Sequence, residues 1–370
     1  MQLYKGFICH PTVCCVENKY QIMIPVKYKM LVAVRIGEKI YASHSNGIKI
    51  SDTKVHRIEV PMSELDRERK YTVICRKMVC RKAYRSITGD EDIIEYSFKP
   101  LEKTKNIKIY QIADSHSHIL PAVNAQKKFS KDIDLLILNG DIAGTSENFN
   151  EISVTYKIAS KITEGTLPCI ISRGNHDLRG KCAEKLADYM PNHNGKSYYT
   201  VKVGCIWAIL IDTGEDKPDN HEEYGCTVAC RQFREEETEF IKHAAENKEY
   251  MANDIKYRLV ISHVPFATRF PYPFDIEEEA YREWCKILKD NIKPNLMLSG
   301  HIHKAAISEV GSEYDDYGQP CTVLIGSIVK IHKPSKDVYY AGMGLELNDN
   351  KAKVTFNTKD EIVEVNEINI

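Results

Sequence analysis

Five short polar clusters in this chain carry side chains suited to divalent cations: Asp114-Ser115-His116, Gly140-Asp141, Gly174-Asn175-His176-Asp177, Ser262-His263 and Gly300-His301-Ile302-His303. Asp, Asn and His are hard or borderline donors that suit Mn, Fe, Zn or Ni. Taken singly, each cluster has a plain structural reading. Asp114 could cap a helix beside a surface histidine, Gly140-Asp141 could be a turn, and Asn175 or Asp177 could cap the segment that follows. His263, two residues before Pro265, could be a satisfied loop histidine. In Gly-His-x-His the alternate spacing puts both imidazoles on one side of an extended segment, which is a stronger sign of ligation. The five in one order, each directly after an apolar run, are much harder to explain as coincidence.

Those apolar runs must be the elements that position the clusters. From Ile107 onward, strands are predicted at 107–113, 135–138, 169–172, 197–203, 205–211, 258–262 and 296–298, with helices at 149–161, 181–190, 231–248 and 276–289. This alternation is the grammar of an α/β fold, in which the carboxyl ends of strands converge on one crevice. Residues 1–103 read differently, as short alternating runs such as Gln21–Val26, Met30–Val34 and Tyr71–Cys75, with turn signals at Ser45-Asn46-Gly47 and Thr88-Gly89-Asp90. They are expected to form a small all-β sandwich of fibronectin III type, joined to a catalytic domain at 104–370 through the polar stretch 99–106. The tail from Thr322 to Phe356 returns to strands, with a turn at Asn348-Asp349-Asn350.

With 43% hydrophobic and 28% charged residues in 370, the composition is that of a globular protein and excludes disordered and fibrous classes. The sequence has no apolar run of membrane-spanning length and no signal-like opening, and its twelve Cys lack a disulfide rhythm, so a soluble cytoplasmic protein with free thiols is expected. Net charge is −1, but 20 Lys and Arg stand against 12 Asp and Glu through residue 105, and 31 against 40 beyond it. The opposite charges could favour docking of the two parts on each other, which is the preferred reading, or the basic part could attract an anionic partner. The near-neutral total does not favour bulk nucleic-acid binding.

In this order the five clusters resemble the calcineurin-like metallophosphoesterase superfamily, over about residues 107 to 330. The resemblance implies a four-layer α/β/β/α sandwich, and the leading β-sandwich is similar to purple acid phosphatases and their bacterial relatives. The stretch from Asp212 to Asp219 looks like a loop of those relatives. Carried over by residue, one metal ion takes Asp114, His116 and His303, the other Asn175, His263 and His301, and Asp141 bridges them. Gly144 stands where a purple acid phosphatase has its Tyr ligand, so no tyrosinate colour is expected. The resemblance implies two ions, Mn, Fe or Zn, about 3.5–4 Å apart, that activate a water as hydroxide for in-line attack. His176 would assist the leaving group, Asp177 would hold its ring, and Arg173 would bind a phosphate oxygen or else form an ion pair. The expected activity is hydrolysis of a phosphomonoester, small or protein-borne. A phosphodiester, as in a cyclic nucleotide or nucleic acid, is the alternative, and a metal-binding scaffold without catalysis the minor one. Residues 1–103 would wall the cleft and limit substrate size. Oligomeric state has no signature in the sequence.

Several features are read as structural. His118 is taken as a solvent-exposed loop residue, Cys14-Cys15 and Cys226/Cys230 as plain thiols, and Glu235-Glu236-Glu237 as a solvated run. Tyr198, Tyr199, Phe266, Phe270, Tyr272 and Phe274 could wall the cleft or simply pack.

Overall fold

The computed structural model describes residues 2–331 and 337–370. Its centre is two facing sheets whose middle strands are the apolar runs identified above. In the first, Ile107–Ile112, Leu135–Asn139 and Pro168–Ser172 run parallel and adjacent. The strands Val338–Asn348, Lys351–Asn357 and Ile362–Asn369 extend this sheet antiparallel on one side. In the second, Ile206–Ile211, Tyr257–Ser262, Leu296–Ser299 and Thr322–Gly326 are parallel, flanked by antiparallel Tyr199–Val203 and Ala305–Ser308.

Strand alternation divides the apolar side chains between two faces. Ile107, Ile109, Leu135, Ile137 and Ile170 point inward against Leu210, Leu259, Ile261, Leu296, Leu298 and Leu324 of the opposite sheet, all fully buried. Tyr110, Ile112, Leu136 and Leu138 point outward under the helices Ile119–Phe129 and Phe149–Thr163. On the far side Trp207, Ile209, Val260 and Met297 meet Cys230–Asn247 and Glu278–Ile287. Each such side chain contributes about 1.5–3 kcal/mol through burial. The result is the expected four-layer α/β/β/α sandwich.

Local sequence sets the helix ends. Asn148 caps Phe149–Thr163 by accepting from the amides of Asn150 and Glu151. Cys230–Asn247 is capped from a distance, since the Asp219 carboxylate accepts from Cys230 N at 3.0 Å and Arg231 N at 3.1 Å. The helix expected at 181–190 is reduced to the turns Ala183–Lys185 and Leu186–Tyr189. The reason is non-local bonding: Ser146 N donates to Arg179 O and Cys182 N to Ser146 O, so the segment is strapped to the loop after Asp141. The helix Ile119–Phe129 went unread, because it begins right behind the Asp-Ser-His-Ser-His run and carries Pro121 in its first turn, where proline is tolerated.

The β-rich amino-terminal region is a sandwich, yet half of it belongs to the central sheet. Thr12–Val16 pairs parallel with Pro168–Ser172 through Val13 and Cys14, and Lys19–Pro25 and Val55–Pro61 continue that sheet to its edge. Facing them is a four-stranded sheet of Lys39–Ala42, Met30–Ile36, Lys70–Cys80 and Ile87–Ser97. Ile22, Ile58, Val32, Val34 and Val73 share one continuous core with Ile137 and Leu298. A division at residue 103 therefore crosses a hydrogen-bonded sheet and a common core. The stretch 99–106 is pinned as well: Lys99 and Lys103 both pair with the buried Asp134, and Leu101 is buried. Among the described residues, no helix is long and apolar enough to cross a membrane.

Candidate metal centre

All seven expected ligand positions lie at the carboxyl ends of the parallel strands or in the loop that follows, at the rim between the two sheets. A buried polar net beneath them ties the sheets together. Asn139 donates to Leu298 O at 2.9 Å and accepts from Ser172 Oγ at 2.6 Å, while Gln111 donates to Ser299 O at 2.9 Å. Each satisfied bond contributes about 1 kcal/mol, and leaving any partner unpaired would cost more. The rim is thereby fixed in position.

The loops themselves are conformationally demanding. Asp114, His116, Asp141, His301 and His303 all have positive φ, between 41° and 69°. Non-glycine residues in this region cost energy and collect where function requires it. Gly140 (φ +77°) and Gly174 permit close approach: a Cβ at Gly140 would stand 2.5 Å from the His263 ring, and one at Gly174 2.3 Å from Asp141 Oδ1.

In the first group, Asp114 Oδ1 lies 3.4 Å from His303 Nε2, and His303 Nε2 lies 3.1 Å from His116 Nε2. In the second, Asp141 Oδ2 lies 3.3 Å and Asp114 Oδ1 3.6 Å from His263 Nε2. Asn175 Oδ1 stands 3.2 Å from His301 Nδ1. Asp114 and Asp141 are thus shared between neighbouring donors, and Asp141 also accepts from His176 N at 2.9 Å. The ligating atom of His263 is fixed by its other nitrogen: Nδ1 lies 2.7 Å from Asn139 O, which can only accept, so Nε2 faces the carboxylates.

Whether these residues fit cations can be judged from their own chemistry. Asp114 Oδ1 and His263 Nε2 are fully buried and lack hydrogen-bond partners among the described residues. Such orphaned groups are costly unless an ion completes them. Burial opposes charge on His263, but Asp141 and Asp114 push its pKa up to about 10. Burial likewise pushes Asp114 and Asp141 upward, yet His263 and its neighbouring histidines hold both below the usual carboxylate range. Burial moves His301 down to about 4, with the nearby His263 charge adding to it. The site prefers two carboxylates and a positive charge between them, which a metal ion supplies. Among the described residues, three groups have ligand atoms close enough to hold an ion: Asp114/His116/His303, Asp114/Asp141/His263 and His116/Asp141/His176. The donor set fits.

His176 lies beside this cluster, its ring centroid 4.9 Å from that of His116 and its Nε2 3.9 Å from Asp141 Oδ2. Its Nδ1 is 3.2 Å from Gly144 O. The expected partner, Asp177, does not hold the ring: its Oδ2 accepts from Gly174 N at 2.8 Å and Asp141 N at 3.4 Å. Asp177 staples two ligand loops together, because the motif turns its carboxylate back on its own amide. Burial and Asp141 push its pKa up to about 7. Arg173 takes the ion-pair alternative. Its Nε donates to Asp212 at 2.7 Å and its guanidinium lies 5.3 Å from the Phe233 ring.

Three groups escaped the sequence reading. Arg179 forms a bidentate pair with Glu215, at 2.8 Å twice, and brings Nη1 to 3.5 Å from His176 Nε2. Asp216 accepts from Asn175 Nδ2 at 3.2 Å. Ser327 donates to Asp114 Oδ2. Only the 212–219 stretch offered a signal, through its likeness to a known loop. Of the aromatics, Phe270 packs edge-on to His301 at 5.6 Å and Phe274 lies by Lys217, while Tyr198, Tyr199 and Phe266 are buried in packing and Tyr272 is exposed. His118 starts the helix Ile119–Phe129 without a side-chain cap bond. Glu237 is not solvated: it is buried and accepts from Asp212 N at 2.7 Å. Cys226 and Cys230 are free thiols.

Fold and site together define a metal-binding α/β sandwich of the phosphoesterase kind. Residues 107–305 match the calcineurin-like phosphoesterase family, and the chain belongs to it. A probable cyclic nucleotide phosphodiesterase of Fibrobacter succinogenes is 32% identical over 133 residues, which cover 32% of this chain and 50% of that protein. The match thus spans about half the length of that curated relative. Two solved structures share the fold. A purple acid phosphatase from yellow lupin (Lupinus luteus) seeds matches 98% of this chain and 74% of its own, with a TM-score of 0.60 at 11% identity. PhoD matches 100% and 90%, with a TM-score of 0.56 at 10% identity. Family and fold imply divalent metal ions at this site.

Proposed function

We propose that this protein is a metal-dependent phosphate-ester hydrolase holding two divalent ions, with Asp114, His116 and His303 on one, Asn175, His263 and His301 on the other, and Asp141 between them. The observation that supports this most is the convergence of Asp114 Oδ1 and His263 Nε2, both buried and neither completed by a hydrogen bond, on one point beside Asp141. Mn, Fe and Zn all suit such a donor set. When bound, the ions supply a neutral-pH nucleophile and clamp the phosphoryl oxygens.

The chain's own groups do the rest. His176 donates Nδ1–H to Gly144 O, a pure acceptor, so any proton it transfers must travel from Nε2. That atom points over Asp141 toward the ligand cluster, the position from which a leaving oxygen can be protonated. Asp177 keeps the Gly174 and Asp141 loops in register, and Arg173 braces Asp212.

For the ester itself, the charges favour a diester over the expected monoester. A monoester dianion calls for an extra cation, yet both arginines flanking the Gly-Asn-His-Asp motif are committed, Arg173 to Asp212 and Arg179 to Glu215 and Asp216. The likeness to a probable cyclic nucleotide phosphodiesterase supports the same choice. Side-by-side hydrolysis of bis-p-nitrophenyl phosphate and p-nitrophenyl phosphate, with wild type and His176→Ala, decides it. Faster diester turnover that falls in the variant is expected; faster monoester turnover would restore the monoesterase reading.

A further inference from the structure

We infer that Asp216 is a positioning residue for the second metal ion, aiming both Asn175 and His301 at it from outside the ligand set. An Asn amide can turn either its oxygen or its nitrogen toward a cation, and only the oxygen ligates. Asp216 Oδ2 lies 3.2 Å from Asn175 Nδ2. A carboxylate only accepts, so the amide nitrogen faces Asp216 and the oxygen is left 3.2 Å from His301 Nδ1, where both can share an ion. The same Oδ2 lies 4.0 Å from His301 Nε2, the nitrogen that does not face Asn175. At that distance the carboxylate acts on the far nitrogen of the imidazole through its charge, favouring a proton there and so leaving Nδ1 to face the ion.

Asp216 can do this because it is itself held. Its Oδ1 accepts from Tyr224 OH at 3.1 Å and from Arg179 Nη2 at 3.3 Å, leaving Oδ2 for the ligands. The backbone of the 212–219 loop is anchored from beneath. Arg234, buried in the helix Cys230–Asn247, donates to Thr213 O at 2.6 Å and Glu215 O at 3.2 Å, and Asp212 N donates to Glu237. At its far end Asp219 caps that helix. The loop is therefore a brace running from the outer helix layer to one half of the metal centre. Among the described residues, no hydrogen bond or ion pair joins Asp216 to Asp114, His116 or His303, so its effect should fall on the second ion alone.

This inference rests on the two-ion reading above, and one experiment separates their failures. The metal-free full-length chain is titrated with Mn(II) by calorimetry, with bound ions counted by electron paramagnetic resonance, for wild type, Asp216→Ala, Asp216→Asn and Glu223→Gln. Glu223 touches Arg179 and Lys217 but neither ligand, so its variant controls for loosening of the loop. Wild type should take two ions. Asp216→Ala should bind the second about 10- to 100-fold more weakly with the first unchanged, Asp216→Asn should fall between, and Glu223→Gln should match wild type. Asp216→Asn preserves volume, so it carries the test should the alanine variant not fold. Equal weakening of both ions, or no change in either, would overturn the role of Asp216. A wild type that binds fewer than two ions would overturn the reading beneath it.

Discussion

Gly174→Ala adds one methyl group, and its consequence can be worked from distances. The new Cβ would stand 2.3 Å from Asp141 Oδ1, 2.6 Å from Asp141 N and 2.9 Å from His263 Cδ2, where ordinary contact begins near 3.4 Å. Asp141 and the glycine loop must separate by about 1.1 Å, the difference between 3.4 and 2.3 Å. Neither can do so freely, because Asp177 holds Gly174 N and Asp141 N to one carboxylate. Gly174 has φ −110°, which alanine tolerates, so strain in the backbone torsion is not part of the effect. Overpacking should cost about 1–3 kcal/mol of stability. A displacement of this size at the shared Asp141 should cost on the order of 100-fold in kcat/KM. Gly144→Ala is the control, since its Cβ would meet only Ser117 Oγ at 3.8 Å. The assay is kcat/KM at saturating metal alongside thermal melts. A Gly174→Ala enzyme as active as Gly144→Ala would refute the placement of Asp141.

Other perturbations test separate parts of the structure. Arg173→Ala should leave KM nearly unchanged while lowering stability by about 3 kcal/mol, because it strands the buried Asp212 carboxylate; a large KM rise with normal stability would return Arg173 to phosphate binding. In the metal-free protein His263 titrates near 10 against about 6.5 unfolded, so its stabilising charge is complete below pH 6.5 and is lost as pH rises toward 10. Denaturant melts of the metal-free chain should therefore weaken from pH 7 to 9.5, and a flat or rising profile would contradict the carboxylate–imidazole arrangement. Deleting residues 1–103 should give insoluble protein, since Pro168–Ser172 would lose one of its two partner strands and become an exposed edge, and the common core would be opened; a soluble, metal-binding 104–370 fragment would show the two parts to be separable after all.

The candidate ligand positions were legible because each is local to a strand end: a strand plus the next four residues is enough to place Asp114, His116, Asp141, Asn175, His263, His301 and His303. The α/β/β/α layering was legible for the same reason, as alternation within each run names its two faces. What the sequence hid is long-range. No local pattern tells that Thr12–Val16 adds to the sheet beside Pro168–Ser172, since a parallel pair separated by 155 residues leaves no hairpin signal. Asp177 follows His176 directly, which invited the reading that it holds the ring, yet the 3-10 turn at Asn175–Leu178 turns it back toward Gly174 N. Arg179 and Asp216 come from different loops and acquire meaning only through each other. Glu237 looked like one member of a solvated acidic run, but helical periodicity puts it on the buried face of Cys230–Asn247, opposite the exposed Glu235 and Glu236.

The most direct test of the central claim is to strip the purified full-length protein of metal, measure hydrolysis of bis-p-nitrophenyl phosphate and p-nitrophenyl phosphate, and restore Mn, Zn or Fe singly, with Asp141→Asn beside the wild type. Turnover that vanishes on stripping, returns with a divalent ion and stays absent in Asp141→Asn is the expected result. Turnover that survives stripping, or that Asp141→Asn retains in full, would contradict a metal-dependent hydrolase built on this cluster.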